Sequence, residues 1–256
     1  MLIGAINLLG CQAISTKPAD SASRDAKLFE HHVERDHVVL HSDFEVPGSD
    51  PLLAELNSLR LAIAQQLSLT PADATVHIYL FSKADGYYDF LSRRFPGFPP
   101  RRALFVETPA ELAVYAHWGE QVVVDLRHEV THGYLHATIP NLPLWLDEGL
   151  AEYFEVGAAN AGLNQEHVEH LQSLTNWQPD LARLEKLQLA ADMTQLDYAE
   201  SWAWVHWLLR SDDQTAELVT GYLNSLRLGS PSLLSESLII SLDEPTRRCQ
   251  LHMSNL

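Results

Sequence analysis

The sequence predicts an α+β fold, in which a small mixed sheet packs on one helix with a His-Glu-x-x-His motif and a mostly helical C-terminal part follows. Three observations favour this class. Residues 28–118 contain a succession of short runs, some with the periodicity of strands and some with that of helices. The motif, His128–His132, lies in a run with helical periodicity. From about Leu163 the remaining chain has an almost wholly helical pattern.

The first zone is predicted to be a small layer of strands and helices. Its elements are a strand at His37–His41, an amphipathic helix at Pro51–Leu67, a strand at Val76–Phe81 and a short helix at Asp85–Arg93. The runs Ala103–Glu107 and Glu111–His117 alternate well enough to form a hairpin across Thr108-Pro109-Ala110.

The middle and third zones are predicted to be helical. The motif helix should run from Glu120 to about Thr138, and a second helix should open near Pro143, since proline suits a first turn. In the third zone the strongest pattern is Tyr198–Leu209, where apolar residues recur at helical spacing. We expect one domain over 28–256, with an α+β part at 28–118 and a helical part at 119–256.

The motif favours a metal site. Two histidines four residues apart on a helix point about 40° from each other, so His128 and His132 can share one tetrahedral Zn²⁺. Glu129 can then reach water at the open coordination position. Separated from His132 by fifteen residues, Glu148 lies in a second helical run and is the expected third ligand. The alternative is a histidine-bearing amphipathic helix with a structural role only.

Both helical runs separate an apolar arc from a polar one. Leu126 and Val130 fall on a different arc from the two histidines. In the second run, Leu146 and Leu150 lie opposite Glu148. This sorting favours the metal site over the structural alternative.

The motif followed by Trp-Leu-x-Glu-Gly-x-Ala-Glu-Tyr resembles the gluzincin metallopeptidases, and more closely the bacterial peptidase MA-like domains. The resemblance implies a thermolysin-like (zincin-like) fold and zinc-dependent cleavage of a peptide or protein substrate. It implies ligands His128, His132 and Glu148, with Glu129 as general base. The spacing of fifteen residues to Glu148 is somewhat shorter than usual in that group. The metzincin pattern is excluded, because Leu135 and Thr138 stand where it needs glycine and histidine.

The resemblance also implies three less direct roles. Glu152 stands where a carboxylate orients a ligand histidine. Tyr198, in a Tyr-x-x-Ser-Trp segment, is a candidate catalytic residue that donates to the developing oxyanion, with helix capping or packing as the alternative. Leu112–Ala116 is the candidate edge strand that holds extended substrate. Glu111 is not assigned to grip a substrate amine, since the aminopeptidase signature is absent.

Composition limits the function classes. Among 256 residues, 46% are hydrophobic, and the formal net charge is −17. A globular chain with this charge is not expected to bind nucleic acid, because phosphate contacts need a basic surface. The basic cluster around Arg93, Arg94, Arg101 and Arg102 is interpreted as a solvated loop, with substrate-cleft lining as the alternative.

Residues 1–27 are interpreted as a signal and lipobox-like segment followed by a tether. Met1–Gly10 is mostly apolar and ends just before Cys11. Together with Leu8-Leu9-Gly10-Cys11 it resembles a bacterial lipoprotein signal, although the beginning of the segment lacks lysine and arginine. This predicts an exported protein, periplasmic or membrane-anchored, with a possible lipid anchor at Cys11. The alternative is an incidental cysteine.

Several other polar residues stay open between function and packing. His136 and His206 are expected mainly to pack, and His167 and His170 to lie on the surface. Asp125 is either a partner of the metal site or a first-turn helix charge. A further histidine cluster lacks a trustworthy ligand spacing; its members are His31, His32, His37 and His41.

Three rival functions share part of this reasoning. The chain could be a catalytically silent lipoprotein that binds a partner through a peptidase-like cleft. It could be a metal-free helical binding module in which the histidines are structural. Hydrolysis of a non-peptide amide, such as a cell-wall linkage, would use the same residues as peptide hydrolysis.

Overall fold

A computed structural model describes residues 28–71, 73–98, 100–230 and 232–256. Their contacts define two compact units, and each is described by itself. The sheet unit comprises 28–62 and 71–137, and the helical unit comprises 63–70 and 138–256. The boundary therefore falls after the motif helix, whereas the sequence places it at 118/119. Cys11 and the predicted signal and tether lie outside the described residues.

The sheet unit is built on a five-stranded mixed sheet in the order β1-β2-β3-β5-β4. Both outer pairs, β1–β2 and β4–β5, are antiparallel, while β2–β3 and β3–β5 are parallel. Together with the mostly helical C-terminal part, this sheet confirms the predicted α+β class. The strands are β1 (His31–Arg35), β2 (Val38–Ser42), β3 (Val76–Phe81), β4 (Ala103–Thr108) and β5 (Glu111–His117).

Within the described ranges, three helices begin before residue 137: α1 (Ser49–Gln66), α2 (Ala84–Arg94) and α3 (Val122–His136). The motif helix α3 packs on β3, β4 and β5. Gly133 makes this approach possible, since a Cβ there would meet the Val76 side chain at 3.0 Å. The opposite face of the sheet packs on α2, where Tyr87 and Phe90 join Phe81 and Tyr115 in an aromatic core.

The predicted hairpin is confirmed, with Phe105 opposite Val114 across β4 and β5. The prediction that Leu112–Ala116 is an edge strand is wrong. β5 is paired on both sides, by β3 and by β4, so its backbone groups are already used in the sheet. The edge beside the motif helix is β4.

The helical unit is organised around one long central helix, which carries three fully buried tryptophans, Trp202, Trp204 and Trp207. Its start is fixed by a capping box between Thr194 and Asp197. The helices after residue 137 are α4 (Leu144–Glu155), α5 (Gln165–Ser173), α6 (Leu181–Leu184), α7 (Gln195–Arg210), α8 (Asp213–Arg227), α9 (Leu234–Ser241) and α10 (Pro245–Ser254).

Helix α4 packs along the central helix α7 at very close range. At Gly149 a Cβ would lie 2.6 Å from the carbonyl oxygen of Ser201, so only glycine fits this crossing. Pro143 occupies the N-cap position immediately before α4, close to the predicted helix start. Among the described residues, none of the helices combines the length and the apolar character needed to cross a bilayer.

Candidate metal centre

The two motif histidines lie side by side on α3. His128 and His132 are one helical turn apart, with ring centroids separated by 5.0 Å and ring planes inclined at 72°. Both side chains are buried. On the predicted apolar arc of the same helix, Leu126 and Val130 are fully buried, whereas Val123 is 39% exposed. The sheet unit alone therefore brings the two predicted imidazole ligands together.

Glu129 is held by the edge strand of the same unit. Its Oε2 accepts a hydrogen bond of 2.7 Å from the backbone N–H of Phe105 in β4. An edge strand has backbone groups that no neighbouring strand uses. A buried carboxylate that accepts a backbone hydrogen bond is fixed in position without needing a second charged side chain. The predicted base thus has a defined orientation next to the histidine pair.

The carboxylates of α4 are buried in the helical unit. Glu148 is only 2% exposed, and Asp147 and Glu152 on the same helix are buried as well. Glu148 and Glu152, on the polar arc of this helix, therefore do not face solvent. Burying several carboxylates is costly unless each is paired with a hydrogen-bond donor, a cation or a metal.

Glu152 has an unpredicted partner in the same unit. Its Oε2 lies 2.8 Å from Nε2 of His167, and the side-chain amide of Asn164 donates to Glu155 at 2.9 Å. Burial alone would lower the pKa of His167, but the neighbouring charge of Glu152 outweighs it and raises the pKa. The prediction that His167 lies on the surface is wrong. No local spacing links the two residues, which are fifteen positions apart.

Buried histidine and carboxylate side chains of this chain could hold a metal ion. Two imidazole nitrogens and one carboxylate oxygen form the donor set of catalytic zinc sites that keep a position open, so the predicted set fits Zn²⁺. Among the described residues, the side chains concerned are His128, His132 and His136 of the sheet unit and Asp147, Glu148, Glu152 and Glu155 of the helical unit.

Tyr198 lies in the first turn of α7 and is buried in the helical unit. Its catalytic role stays a prediction. His206, further along α7, is a buried core histidine as predicted, with Nδ1 at 3.0 Å from Nε2 of His252. Burial, with the nearby His252 and Arg210, lowers the pKa of His206 to about 4.

The remaining polar residues of the sheet unit find protein partners. His136 Nδ1 lies 2.8 Å from Oε2 of Glu107. Asp125 accepts a forked pair of hydrogen bonds from Arg102 and is therefore the partner of a surface arginine in the first turn of α3. The solvated-loop interpretation fails for one arginine, since Arg101 is buried, with its guanidinium over the ring of Phe98.

Tyr87 is a residue of interest that the sequence did not single out. Within the described part of the chain its hydroxyl is buried and has no hydrogen-bond partner. Burial raises the pKa of Tyr87, and the charge of Glu129 raises it further. Tyr87 therefore stays a neutral hydroxyl near the predicted base. A tyrosine in an amphipathic helix carries no sequence signal for such a position.

Part of the chain matches the model of a protein family whose function is unknown. Residues 123–228 match the profile of a family described as "Protein of unknown function (DUF1570)". The matched region is less than half of the chain, and it contains His128, Glu129, His132, Glu148 and Tyr198. A comparison with curated proteins gives no match.

Proposed function

We propose that this chain is a zinc-dependent hydrolase that cleaves peptide bonds, similar to gluzincins and to the bacterial peptidase MA-like domains. One observation carries the proposal. The predicted ligands His128, His132 and Glu148 are all buried, and they belong to the histidine and carboxylate side chains of this chain that could hold a metal ion. The adjacent Glu129 is oriented by a backbone donor.

Each protein group has a defined task in this proposal. His128 and His132 would hold the zinc ion through their imidazoles, and Glu148 would hold it through its carboxylate. A zinc ion in such a site supplies Lewis acidity, which polarises the substrate carbonyl and makes water acidic enough to lose a proton near neutral pH.

Glu129 acts as the general base and then as the general acid. The hydrogen bond from Phe105 engages Oε2, so Oε1 is the atom we assign to accept the proton from the attacking water. The same carboxyl then delivers this proton to the leaving amine. Tyr198 is the proposed donor to the oxyanion that develops on the former carbonyl oxygen.

The substrate strand is proposed to align with β4. This strand forms the edge of the sheet next to α3, and Phe105 within it already contacts Glu129. Extended peptides bind sheet edges through main-chain hydrogen bonds. Strand addition at β4 would therefore place the scissile bond beside the proposed base.

The decisive experiment separates catalysis from metal binding. Glu129→Gln should reduce peptide hydrolysis by about 10²–10⁴-fold, the usual contribution of a general base, while zinc content stays near that of the wild type. Glu148→Ala should lower the zinc content itself. Asp147→Asn is the matched control on the same helix, and its zinc content should stay at the wild-type level.

Other outcomes identify the rival functions. Full turnover by Glu129→Gln would show that the assigned base is wrong. Zinc binding without cleavage of any peptide in a library would favour the silent binding protein, or an amide outside peptides. Absence of zinc binding in equilibrium dialysis would leave the metal-free module.

We also propose that the protein is exported and anchored through lipidated Cys11. The support is the apolar segment that ends at this cysteine. Mass spectrometry of the membrane fraction should then find a diacylglycerol-modified N-terminal cysteine. A soluble, unmodified chain that retains residues 1–10 would contradict this localisation.

A further inference from the structure

A row of imidazoles crosses the sheet on the face opposite α3. His32 of β1, His41 of β2 and His77 of β3 all lie on this face, because His32 is directly opposite His41 and His41 is directly opposite Tyr79, two residues from His77. Residues two apart on a strand share a face. The sheet thus collects three histidines that are far apart in sequence.

The ring nitrogens in this row are in direct contact. Nδ1 of His32 lies 2.8 Å from Nδ1 of His41, and Nε2 of His41 lies 3.0 Å from Nδ1 of His77. On the far side of His77, Oε1 of Glu111 is 3.6 Å from Nδ1. One imidazole, His41, therefore uses both of its nitrogens within the row.

The ring of His41 is fixed before any ligand arrives. It stacks on Tyr79 with centroids 4.7 Å apart and an interplanar angle of 12°, and it lies nearly parallel to His77. The hydroxyl of Tyr79 in turn donates to Glu111 at 2.6 Å. A side chain locked by stacking and by a hydrogen bond loses little rotamer freedom when it binds a ligand.

The row of imidazoles is open to solvent at one end. His32 is exposed at the end of the row, so solvent and ions can reach the shared Nδ1 position.

We propose that His32 and His41 form a binding site for one divalent transition-metal ion, held between their Nδ1 atoms. Zinc–nitrogen bonds of about 2.0–2.1 Å at tetrahedral angles place two ligand nitrogens about 3.3 Å apart. The separation of 2.8 Å needs a small opening, and the exposed His32 can move outward to give it.

In this arrangement each of the two ligand imidazoles holds its one N–H proton on Nε2, away from the ion. His41 carries its proton on Nε2 and donates it to Nδ1 of His77, which orients the ligand ring from behind as outer partners of metal-binding histidines do. His32 carries its proton on Nε2. Both Nδ1 lone pairs then face the ion, and the two imidazoles suit Zn²⁺, Ni²⁺ or Cu²⁺.

This site is independent of the proposed hydrolase. It uses none of the α3 residues, and it lies on the sheet face that α2 covers in part. Metal binding between His32 and His41 does not require peptide cleavage at α3. The two proposals can therefore succeed or fail separately.

The test is calorimetric titration of the full chain with Zn²⁺ after exhaustive chelator dialysis. The wild type should bind one equivalent at the α3 site and a second at the sheet. His32→Gln should remove the second equivalent or weaken it at least tenfold. His31→Gln is the matched control, because His31 is exposed on the same strand and points to the other face.

His41→Gln provides a second variant with the same expected loss, and circular dichroism checks that it remains folded. In the wild type, Zn²⁺ should also shift the Nδ1 resonances of His32 and His41 in nitrogen NMR. The proposal is overturned if both variants keep the second equivalent with unchanged affinity, or if these resonances do not move. If His132→Ala loses only the first equivalent of Zn²⁺, that loss belongs to the α3 site, and the retained second equivalent supports the site on the sheet.

Discussion

The sheet unit and the helical unit fix their polar residues by different means. In the sheet unit Glu129 is held by a backbone N–H, which carries no titratable proton at physiological pH. In the helical unit Glu152 is held by His167, and the paired carboxylates Asp197 and Glu200 are held by Arg183. The sheet unit thus orients Glu129 through a backbone hydrogen bond, and the helical unit orients these carboxylates through charged side chains.

In the helical unit, the pKa values of two such carboxylates are shifted. Burial opposes ionisation of Asp197, but hydrogen bonds from Thr194 and the Arg183 guanidinium prevail and lower its pKa. For Glu200, burial is the larger effect and raises the pKa. The pKa values of two carboxylates that share one arginine are therefore shifted in opposite directions. In the Glu129–Phe105 contact, the partner of the carboxylate is a backbone N–H, which does not titrate at physiological pH.

The largest expected effect tests the histidine pair of the sheet unit. His132→Ala should weaken zinc binding by more than about hundredfold, because loss of outer partners alone costs about 10–100-fold and a direct ligand contributes more. Hydrolysis should fall with it. His136→Ala, one turn further along α3, is the control, since His136 is paired with Glu107. Zinc content and affinity are measured by competition with a chelating dye.

This pair of variants also decides between two possible ligand sets. A drop in zinc affinity for His136→Ala as large as for His132→Ala would shift the site to His132, His136 and Asp147. The proposed ligand set with Glu148 would then be wrong.

The second prediction concerns acid stability of the helical unit. The pKa of His206 falls from 6.5 to about 4 on folding, chiefly through burial. Below pH 6.5 the unfolded chain binds a proton that the folded chain does not, so this contribution is complete above pH 6.5 and is lost as the pH falls towards 4. The expected loss is roughly 2–3 kcal/mol.

His206→Gln should remove most of this acid slope. Urea unfolding at pH 7 and pH 4.5 measures it, with tryptophan fluorescence as the signal, because every tryptophan except Trp118 lies in the helical unit. The control is His170→Gln on α5. An acid slope that is unchanged in His206→Gln would assign the loss of stability to other groups.

Local spacing explains which parts of the site the sequence predicts. His128 and His132 are four residues apart on one helix, so their proximity follows from helix geometry alone. The contact of Glu129 with Phe105 joins residues 24 positions apart, and its existence depends on β4 being the edge. Strand order is a long-range property, which is why the edge was misplaced on β5.

The same limit applies to the second histidine cluster. Sequence spacing groups His31 and His37 with His32 and His41. In the fold, His31 lies on the other face of the sheet, His37 lies in the turn before β2, and His77 of β3 joins His41. Pairing register decides which histidines meet, and alternation within a single strand does not reveal its neighbours. The strand β1 itself went unpredicted, because its residues are mostly exposed and lack an apolar face.

The third prediction tests how α4 is held in the helical unit. Gly149→Ala should destabilise this unit by about 1–3 kcal/mol, since the added methyl group would lie 2.6 Å from a backbone oxygen that cannot move aside easily. Gly157→Ala is the control, because a methyl group added there would meet nothing within 4 Å. Thermal unfolding should show the difference, and equal stability of both variants would contradict the close helix crossing.

The smallest effect is expected at the surface of the sheet unit. Arg102 binds Asp125 through two nitrogens, but its side chain is 47% exposed. Solvent screening limits such pairs to about 0–1 kcal/mol, so Arg102→Ala should change unfolding only slightly. The position of α3 depends instead on Gly133 against Val76 and on the Glu129–Phe105 bond. Zinc affinity and the hydrolysis rate should therefore be unchanged within about twofold; a larger loss would mean that the surface pair orients the motif helix.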